Sequence, residues 1–426
     1  MCAILAALPS LISANEALIE LHYEIDRSAL PTLNEYELTL LISVGNASEI
    51  AVFDQDKQAL VFKHVPEQNL IVLTSEANEI FVNLAGVTEF EEVGTVIKAP
   101  LKDNKKWAWS HAFDDNHYLE APIEIMLEHN LPATMYIVGD WIDEGYGWEG
   151  DLTATEMHEL MAAGWSLGNH TAGHDNNCGE QRPSKEERRA SILETDQILD
   201  EIIQSSDKPN YKVLSFAVPC GGMDRFDAYH ELILEMRYAQ QTNILFSEGG
   251  HEEPMRMNIE PPFNFNQQIK RDLSIDGNID NGATIMALFD AMHTENEVVW
   301  YNSFSHNAYL FGDNTQKLND ITTYFVNTYG ANGTDEAWMA PADVIYSYLL
   351  NRDLAVVTLV SDTVPAITPT FVPTTMPTTT TPTPPAGSNN PPTGPTPSAT
   401  PSPTDEPTDN GKAITPAIYL PLITNK

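Results

Sequence analysis

The feature that most constrains the fold is an alternation of strand-like and helix-like segments between Lys105 and Val360. Short apolar runs such as WAWSHAF, ATMYIVG and VLSFAVP alternate with amphipathic segments such as TATEMHELMAAG and KEERRASILETDQILDEIIQ. Alternation over ~250 residues favours a parallel β/α barrel or a doubly wound sheet. In both architectures the active site lies at the carboxyl ends of the strands, so the residues that follow each strand are the first candidates for function.

The segment before the alternation has a different periodicity. Runs such as ELTLLISV, IAVFD, NLIVLTS and EIFVNLA recur at intervals of about ten residues, separated by Asn, Glu, Asp and Gly. This pattern predicts a small β-rich, sandwich-like module over residues 15–98. The module shows no motif that carries chemistry, so glycan binding and simple spacing of the next domain both remain open.

The end of the chain changes composition near Ser361. The segment from Ser361 to Lys426 holds 16 of the 29 prolines, with many Thr and Ser residues. Such a tract cannot bury enough apolar surface to offset its ordering entropy, which predicts a disordered linker over 363–415. The short apolar tail at 416–426 fits either a sorting signal or a frayed strand.

The N-terminus resembles part of an export signal. Residues 1–14, MCAILAALPSLISA, are apolar and end in small residues, but they lack a positively charged start. They fit a signal-peptide remnant or an ordinary first strand or helix. Together with the Pro/Thr-rich tract, they predict a secreted or cell-surface protein, by bacterial export. The three cysteines are too few for a disulfide scaffold.

The net charge excludes several partners. The chain has 61 acidic and 22 basic residues, which gives a formal charge of −39. A surface this acidic is unsuited to tracking phosphates, so nucleic acid is excluded and anionic lipid is disfavoured. No run reaches the ~18 apolar residues of a membrane-spanning helix, so no transmembrane segment is predicted. Oligomeric state is not readable from the sequence.

Four strand-like segments end in unusual polar residues. The sequences at these four strand ends are FDDNH (113–117), NHTAGHD (169–175), FAVPCGG (216–222) and SFSHN (303–307). Taken singly, each has an ordinary structural explanation, since paired aspartates cap helices and Pro-Cys-Gly-Gly is a turn sequence. Taken together, one carboxylate and two imidazoles form a three-ligand site for Zn²⁺ or a similar ion, with a position left for water. A second carboxylate as base and a histidine as acid complete the groups needed for metal-assisted hydrolysis of an acyl bond.

These motifs resemble those of the polysaccharide deacetylase family, carbohydrate esterase family 4, also called the NodB homology domain. The family's Thr-Phe-Asp-Asp-Gly motif corresponds to Ala112–Asn116, and its His-Ser/Thr-x-x-His motif corresponds to the stretch GWSLGNHTAGHD. The resemblance covers roughly Lys105 to Val360. It implies a distorted (β/α)7 barrel, to which we assign residues 99–362.

The resemblance also implies roles for the first two motifs and for a late histidine. Asp114 corresponds to the catalytic base and His306 to the general acid. Asp115, His170 and His174 correspond to the ligands of a divalent metal, Zn²⁺ or a similar ion such as Co²⁺.

The third motif departs from the family pattern of Arg-x-Pro-Tyr-Gly. Its counterpart is Ala217-Val218-Pro219-Cys220-Gly221, in which Pro219, Cys220 and Gly221 are expected to line the sugar groove. The resemblance assigns the N–H of Cys220 to the oxyanion. Ala217 replaces an arginine that often orients the base, and Cys220 replaces an aromatic residue.

Two further departures affect the same site. Asn116 replaces a glycine that tolerates a tight backbone, and no clear Asp-x-x-x-Trp fourth motif is found. Arg256, in PMRMNIE, is the candidate for orienting Asp114 in place of the missing arginine. Cys178 and Cys220 both fall in loops at the expected site face, where they either pair or remain free thiols.

The resemblance implies a hydrolase that removes N-acetyl groups from a polysaccharide containing N-acetylglucosamine. Two alternatives share the fold: an O-acetyl esterase and a cyclic-amide hydrolase. A non-catalytic glycan-binding protein and a surface adhesin are alternatives of another class. The paired aspartates and His-x3-His argue against pure binding, because binding alone needs no base beside a metal.

Overall fold

The computed structural model describes residues 18–360 except 91, 143–150, 175–181, 221–222, 252–255, 273–281 and 307–314. The expected signal remnant, the linker at 363–415 and the tail at 416–426 lie outside the described residues. So do Cys178 and Gly221.

Strands occur throughout the described chain. In chain order they are β1 (Ile19–Asp26), β2 (Leu38–Ser43), β3 (Glu49–Asp54), β4 (Lys63–Val65), β5 (Leu70–Ser75), β6 (Glu79–Ala85), β7 (Val96–Lys98), β8 (Trp107–Phe113), β9 (Thr134–Ile137), β10 (Ser166–Asn169), β11 (Ser215–Ala217), β12 (Phe246–His251), β13 (Arg256–Asn258), β14 (Ile269–Asp272), β15 (Val299–Ser305), β16 (Ala337–Met339) and β17 (Val356–Val360).

The α-helices of the described chain all follow β8. They are α1 (Glu120–Glu128), α2 (Ala154–Ala162), α3 (Lys185–Gln204), α4 (Met223–Tyr238), α5 (Ala283–Thr294), α6 (Thr315–Thr328) and α7 (Ala342–Leu354). Capping boxes at Thr153 and Ser184 fix the first turns of α2 and α3. Beyond the end of α2, Gly164 adopts a left-handed φ of 89°.

The N-terminal module is a sandwich of two antiparallel sheets, as its periodicity predicts. One sheet has the order β17-β1-β6-β3 and the other β4-β5-β2-β7. Alternate side chains of β6, including Ile80, Val82 and Leu84, are completely buried between the sheets. Tyr23 of β1 joins them and donates its hydroxyl to the Gly94 carbonyl at 2.9 Å.

The last strand of the sandwich comes from the far end of the described chain. β17 pairs antiparallel with β1, with His22 opposite Val360. The sequence placed residues 356–360 in the barrel domain at 99–362, and the structure corrects that boundary. The strand pattern was right, but it could not show which sheet the strand joins.

The second region is a closed barrel of seven parallel strands. The order β8-β9-β10-β11-β12-β14-β15 is closed by pairing of β15 with β8. β8 contacts β9 only through Ala112 and Phe113, and its other end pairs with β16 as well as with β15. The ring is therefore distorted, and the expected distorted (β/α)7 barrel is confirmed.

Both faces of the barrel wall are densely packed. Trp107 and Trp109 of β8 pack against Phe289 of α5 and Phe325 of α6, with ring centroids 4.9–5.7 Å apart. Helix α7 joins barrel to sandwich, since the Asn351 side-chain amide donates to the Glu37 carbonyl at 2.8 Å. No helix in the described part of the chain has the length and apolar character of a membrane span.

Candidate metal centre and active site

The predicted site residues follow strands that point the same way around the barrel. Asp114 and Asp115 follow β8, His170 follows β10, and His306 follows β15. The carboxyl ends of parallel strands meet at one rim, which is where β/α barrels carry their active sites. The Asp114 N–H donates to the Ser305 carbonyl at 3.0 Å, which joins the first and last of these strand ends.

Asp115, His170 and His174 converge on one point. Asp115 Oδ1 lies 3.7 Å from His170 Nε2 and 3.6 Å from His174 Nε2. All three candidate ligand atoms lie within 4.8 Å of one another. Asp115 has a left-handed φ of 63°, a conformation that Asp tolerates better than most residues. The separations are close to those of ligands that share one tetrahedral ion with bonds of about 2 Å.

The polar atoms of this cluster fit a cation. Asp115 Oδ1 and His170 Nε2 are buried, and neither has a hydrogen-bond partner among the described residues. Leaving such atoms unpaired costs ~1–3 kcal/mol each, so their convergence points to a group that accepts their lone pairs. His170 Nδ1 lies 2.9 Å from the Ala217 carbonyl, to which it must donate, and this fixes Nε2 as the unprotonated atom. Burial is the largest cause of the low pKa of His170, about 4, which keeps the ring neutral.

Asp114 lies beside the cluster but is held by a different group. Its Oδ1 and Oδ2 accept hydrogen bonds from the two terminal nitrogens of Arg271 at 2.6 and 2.5 Å. Burial raises the pKa of Asp114, but Arg271 and His170 outweigh burial and lower it to about 2. Oδ2 is also 3.8 Å from His170 Nε2. Asp114 is thus an ionised carboxylate with one oxygen toward the metal cluster, as a base requires.

Arg256 does not orient Asp114, and this expectation is corrected. Arg256 lies on β13 with an exposed side chain that pairs with Glu295. β13 runs antiparallel beside β15 and is not one of the seven barrel strands. The arginine that reaches Asp114 is Arg271 on β14, only 1% exposed.

His306 lies at the end of β15, on the same rim. Its ring is half-buried, 5.4 Å from the ring of Phe304, and its charge contributes to lowering the pKa of Asp114. The role of His306 as general acid stays a prediction.

The third motif forms one wall of the site. Ala217 accepts the His170 hydrogen bond through its carbonyl, and Pro219 is buried. Cys220 has a left-handed φ of 68° and a sulfur 3.6 Å from the His174 carbonyl. Cys220 is disulfide-bonded, and Cys178, for which the sequence left pairing and a free thiol open, lies outside the described residues.

Asn116 has a structural role that the sequence comparison did not reveal. Its side-chain oxygen accepts the Val138 N–H at 2.8 Å, and its amide donates to the Trp141 carbonyl at 3.3 Å. The left-handed residue of this turn is Asp115, so position 116 does not need glycine. Asn116 therefore holds the segment that places the Trp141 ring 5.4 Å from the ring of His174.

Two charged residues of the site were missed by the sequence analysis. Arg271 is buried on β14, which reads IKRD, and Glu248 is buried on β12, which reads FSEGGH. Charged, glycine-containing segments do not show the apolar run of a buried strand, so neither strand was recognised. The usable signal was the number of strands, because a seven-stranded barrel needs two more between β11 and β15.

The fold and these side chains define the class of the molecule, a β/α-barrel protein with the groups of a hydrolase at its rim. Comparison with known families agrees with this class. Residues 102–235 match the family described as polysaccharide deacetylase. The match covers the first two motifs and agrees with the resemblance that the sequence motifs indicated. No curated protein matches the chain.

Solved structures of low identity are similar to the barrel. A family 4 acetyl xylan esterase from Clostridium thermocellum, solved with cobalt, is 13% identical, with 56% of this chain and 90% of that chain covered and a TM-score of 0.33. A peptidoglycan deacetylase from Bacillus subtilis is 15% identical, with 57% and 92% covered and a TM-score of 0.34. A carbohydrate esterase family 4 enzyme from Streptococcus mutans is 14% identical, with 53% and 83% covered and a TM-score of 0.33.

Proposed function

We propose that this protein is a metal-dependent deacetylase that removes N-acetyl groups from a polysaccharide containing N-acetylglucosamine. The observation that carries the proposal is the placement of an ionised carboxylate, Asp114, beside the cluster of Asp115, His170 and His174. A purely structural metal site is closed by four protein ligands, whereas three ligands leave a position for water. The family match over 102–235 supports the same activity.

The residues present suit Zn²⁺ or Co²⁺, held by Asp115, His170 and His174. When bound, such an ion lowers the pKa of water and polarises a carbonyl oxygen. Asp114 takes the proton from the attacking water through Oδ2, the oxygen nearer the cluster. The guanidinium of Arg271 keeps both Asp114 oxygens oriented throughout.

The remaining steps use Cys220 and His306, which also lie at the rim. The backbone N–H of Cys220 donates a hydrogen bond to the oxygen that becomes negative as the acetyl carbon turns tetrahedral. His306, protonated, donates its proton to the departing amine nitrogen. The C–N bond breaks, acetate leaves, and a free amino sugar remains on the polysaccharide.

The test is acetate release from N-acetylglucosamine oligomers by the full chain with added Zn²⁺, after chelation, and after metal is restored. The isolated 99–362 segment is unsuitable, because it would carry β17 without the strand β1 that pairs with it. Release that stops on chelation and returns with metal supports the proposal. Acetylated xylan, tested in parallel, separates an O-acetyl esterase from an N-deacetylase.

The proposed metal ligands are tested by the amount of bound Zn²⁺ as well as by the reaction rate. His174→Ala should lose bound Zn²⁺, measured by elemental analysis, and should lose activity at least ~100-fold with it. His64→Ala, an exposed histidine on β4, is the matched control and should keep both. Full metal occupancy in His174→Ala would rule out the proposed ligand set.

A further inference from the structure

Arg271 lies in a cage of two aromatic rings. Its guanidinium carbon is 3.9 Å from the ring centroid of Phe304 and 5.4 Å from that of Tyr136. Both rings pack against Ala112 and Ala217 in one buried cluster. Stacking on aromatic faces suits the planar guanidinium and would not suit lysine in the same way.

Small residues make room for this cage. A Cβ at position 250 would meet Phe304 Cζ at 2.9 Å, and one at Gly168 would meet the Tyr136 ring at 2.2 Å. Ala217 belongs to the same cluster, so its short side chain leaves the two rings free to flank Arg271. The absence of a long side chain at position 217 and the presence of Arg271 are therefore two parts of one arrangement.

Glu248 is a second carboxylate near the same guanidinium. Its Oε2 is 3.9 Å from the Arg271 nitrogen that donates to Asp114 Oδ1. Glu248 is completely buried, and Oε2 has no hydrogen-bond partner among the described residues. Arg271 is therefore shared between two carboxylates, with Asp114 the closer.

Glu248 is itself fixed by a chain of buried hydrogen bonds. Its Oε1 accepts from the Asn302 amide at 3.1 Å. Asn302 in turn accepts from the Ser110 hydroxyl at 2.7 Å, and that hydroxyl accepts from Trp300 Nε1 at 2.8 Å. These groups come from β8, β12 and β15, so the rigid barrel interior sets the position of the Glu248 carboxylate.

We infer that Glu248 is a positioning residue for the proposed reaction: its charge holds the Arg271 nitrogen that donates to Asp114 Oδ1 and thereby fixes the orientation of the Asp114 carboxylate. Among the described residues, no hydrogen bond or ion pair joins Glu248 to Asp114, to the metal ligands or to His306. Its effect on catalysis passes through Arg271. The expected effect on kcat rests on the proposed function, whereas the expected effect on the position of Arg271 does not.

The kinetic test is a double-mutant cycle in the full chain. Glu248→Gln, which keeps an acceptor for Asn302, should lower kcat ~10-fold, and Arg271→Met should lower it ~100-fold, both with unchanged KM and Zn²⁺ content. Because Glu248 acts through Arg271, the double variant should be no slower than Arg271→Met alone. If the fold-losses of kcat in the two single variants multiplied in the double variant, the inference would be overturned. Arg256→Met, the exposed arginine on β13, is the matched control and should keep wild-type kcat.

A second test does not depend on activity. The side-chain ¹⁵N–H resonances of a buried, doubly bonded arginine are resolved because the guanidinium rotates slowly. In Glu248→Gln the Arg271 resonances should shift and broaden, while Arg256→Met should leave them in place. Unchanged Arg271 resonances in Glu248→Gln would refute the inference even if Arg271→Met failed to fold. If the wild type released no acetate, the proposed function would fail, and this measurement would still decide the role of Glu248.

Discussion

The sandwich and the barrel of this chain bury different kinds of side chain. Among the described residues before β8, Thr39 is the one polar side chain that is buried, and it pairs with Thr74 at 2.7 Å. The barrel buries Asp114, Glu248 and Arg271 almost completely. Burying charged groups costs free energy unless they are paired, and the sandwich core avoids this cost by burying apolar side chains. The barrel carries this cost at its rim, where Asp114 and Arg271 are buried as a hydrogen-bonded ion pair.

The largest expected effect is on the barrel rim. Asp114→Asn keeps the shape of the side chain but removes the base, so kcat should fall ~10²–10⁴-fold, measured by acetate release. Zn²⁺ content should stay unchanged because the three ligands are other residues. Asp54→Asn, in a turn of the sandwich, should keep wild-type kcat. A kcat for Asp114→Asn within threefold of wild type would remove Asp114 as the base.

The next effect should appear in the sandwich and concern stability alone. Leu40 on β2 is completely buried in the sandwich core. Leu40→Ala should lower the free energy of unfolding by ~2–5 kcal/mol, measured in urea, through lost burial and the cavity left behind. The kcat of the folded variant should equal that of wild type. A large drop in kcat would show that the sandwich and the rim are coupled.

The third effect is a pH dependence of the free energy of unfolding that comes from a buried carboxyl group in the barrel. Burial raises the pKa of Glu248 to about 7, above its ordinary value of 4.5. A raised folded-state pKa gives stability that is complete below pH 4.5 and is lost as pH rises through 7. Glu248→Gln lacks this loss. The difference in free energy of unfolding between Glu248→Gln and wild type should therefore shift by roughly 2–3 kcal/mol in favour of the variant from pH 4.5 to pH 8, measured in urea. Glu24→Gln, on β1, is the sandwich control, and an equal gain there would refute the assignment.

The smallest effect compares two asparagines that play similar local roles. Asn116 accepts the buried Val138 N–H, whereas the exposed Asn46 accepts the Thr88 N–H at 2.9 Å in the sandwich. Asn116→Ala leaves a buried donor without a partner and should cost ~1–3 kcal/mol. Asn46→Ala should cost less, because water replaces the lost acceptor. Thermal unfolding of both variants decides the comparison, and equal costs would contradict it.

The sequence predicted the barrel and the convergence of Asp115, His170 and His174 for physical reasons. The apolar strands β8 to β11 and the capped helix α3 have strong periodic patterns, and α3 lies over Lys185–Gln204 as predicted. Asp115, His170 and His174 were found because they follow such strands within short motifs. The structure brings these three residues together, as the motifs led us to expect.

The sequence did not predict the partner of Asp114, because that contact is long-range. Arg271 is 157 positions from Asp114, on a strand whose letters IKRD do not look buried. Arg256, in PMRMNIE, was the candidate in its place, and no pattern showed that it lies on β13, outside the ring of seven strands. The strand β1 was missed too, and with it the pairing that places β17 in the sandwich.

The pairing of β1 with β17 fixes the order in which the chain can complete its folding. His22 and Val360 are neighbours in one sheet, and the whole barrel lies between them in the sequence. During synthesis the strands β1 to β7 emerge before the barrel, yet the fourth strand of the sheet that contains β1 leaves the ribosome only after every barrel strand has done so. The edge of β1 that pairs with β17 therefore stays unpaired while the barrel is made, and the sandwich, which precedes the barrel, is completed after it.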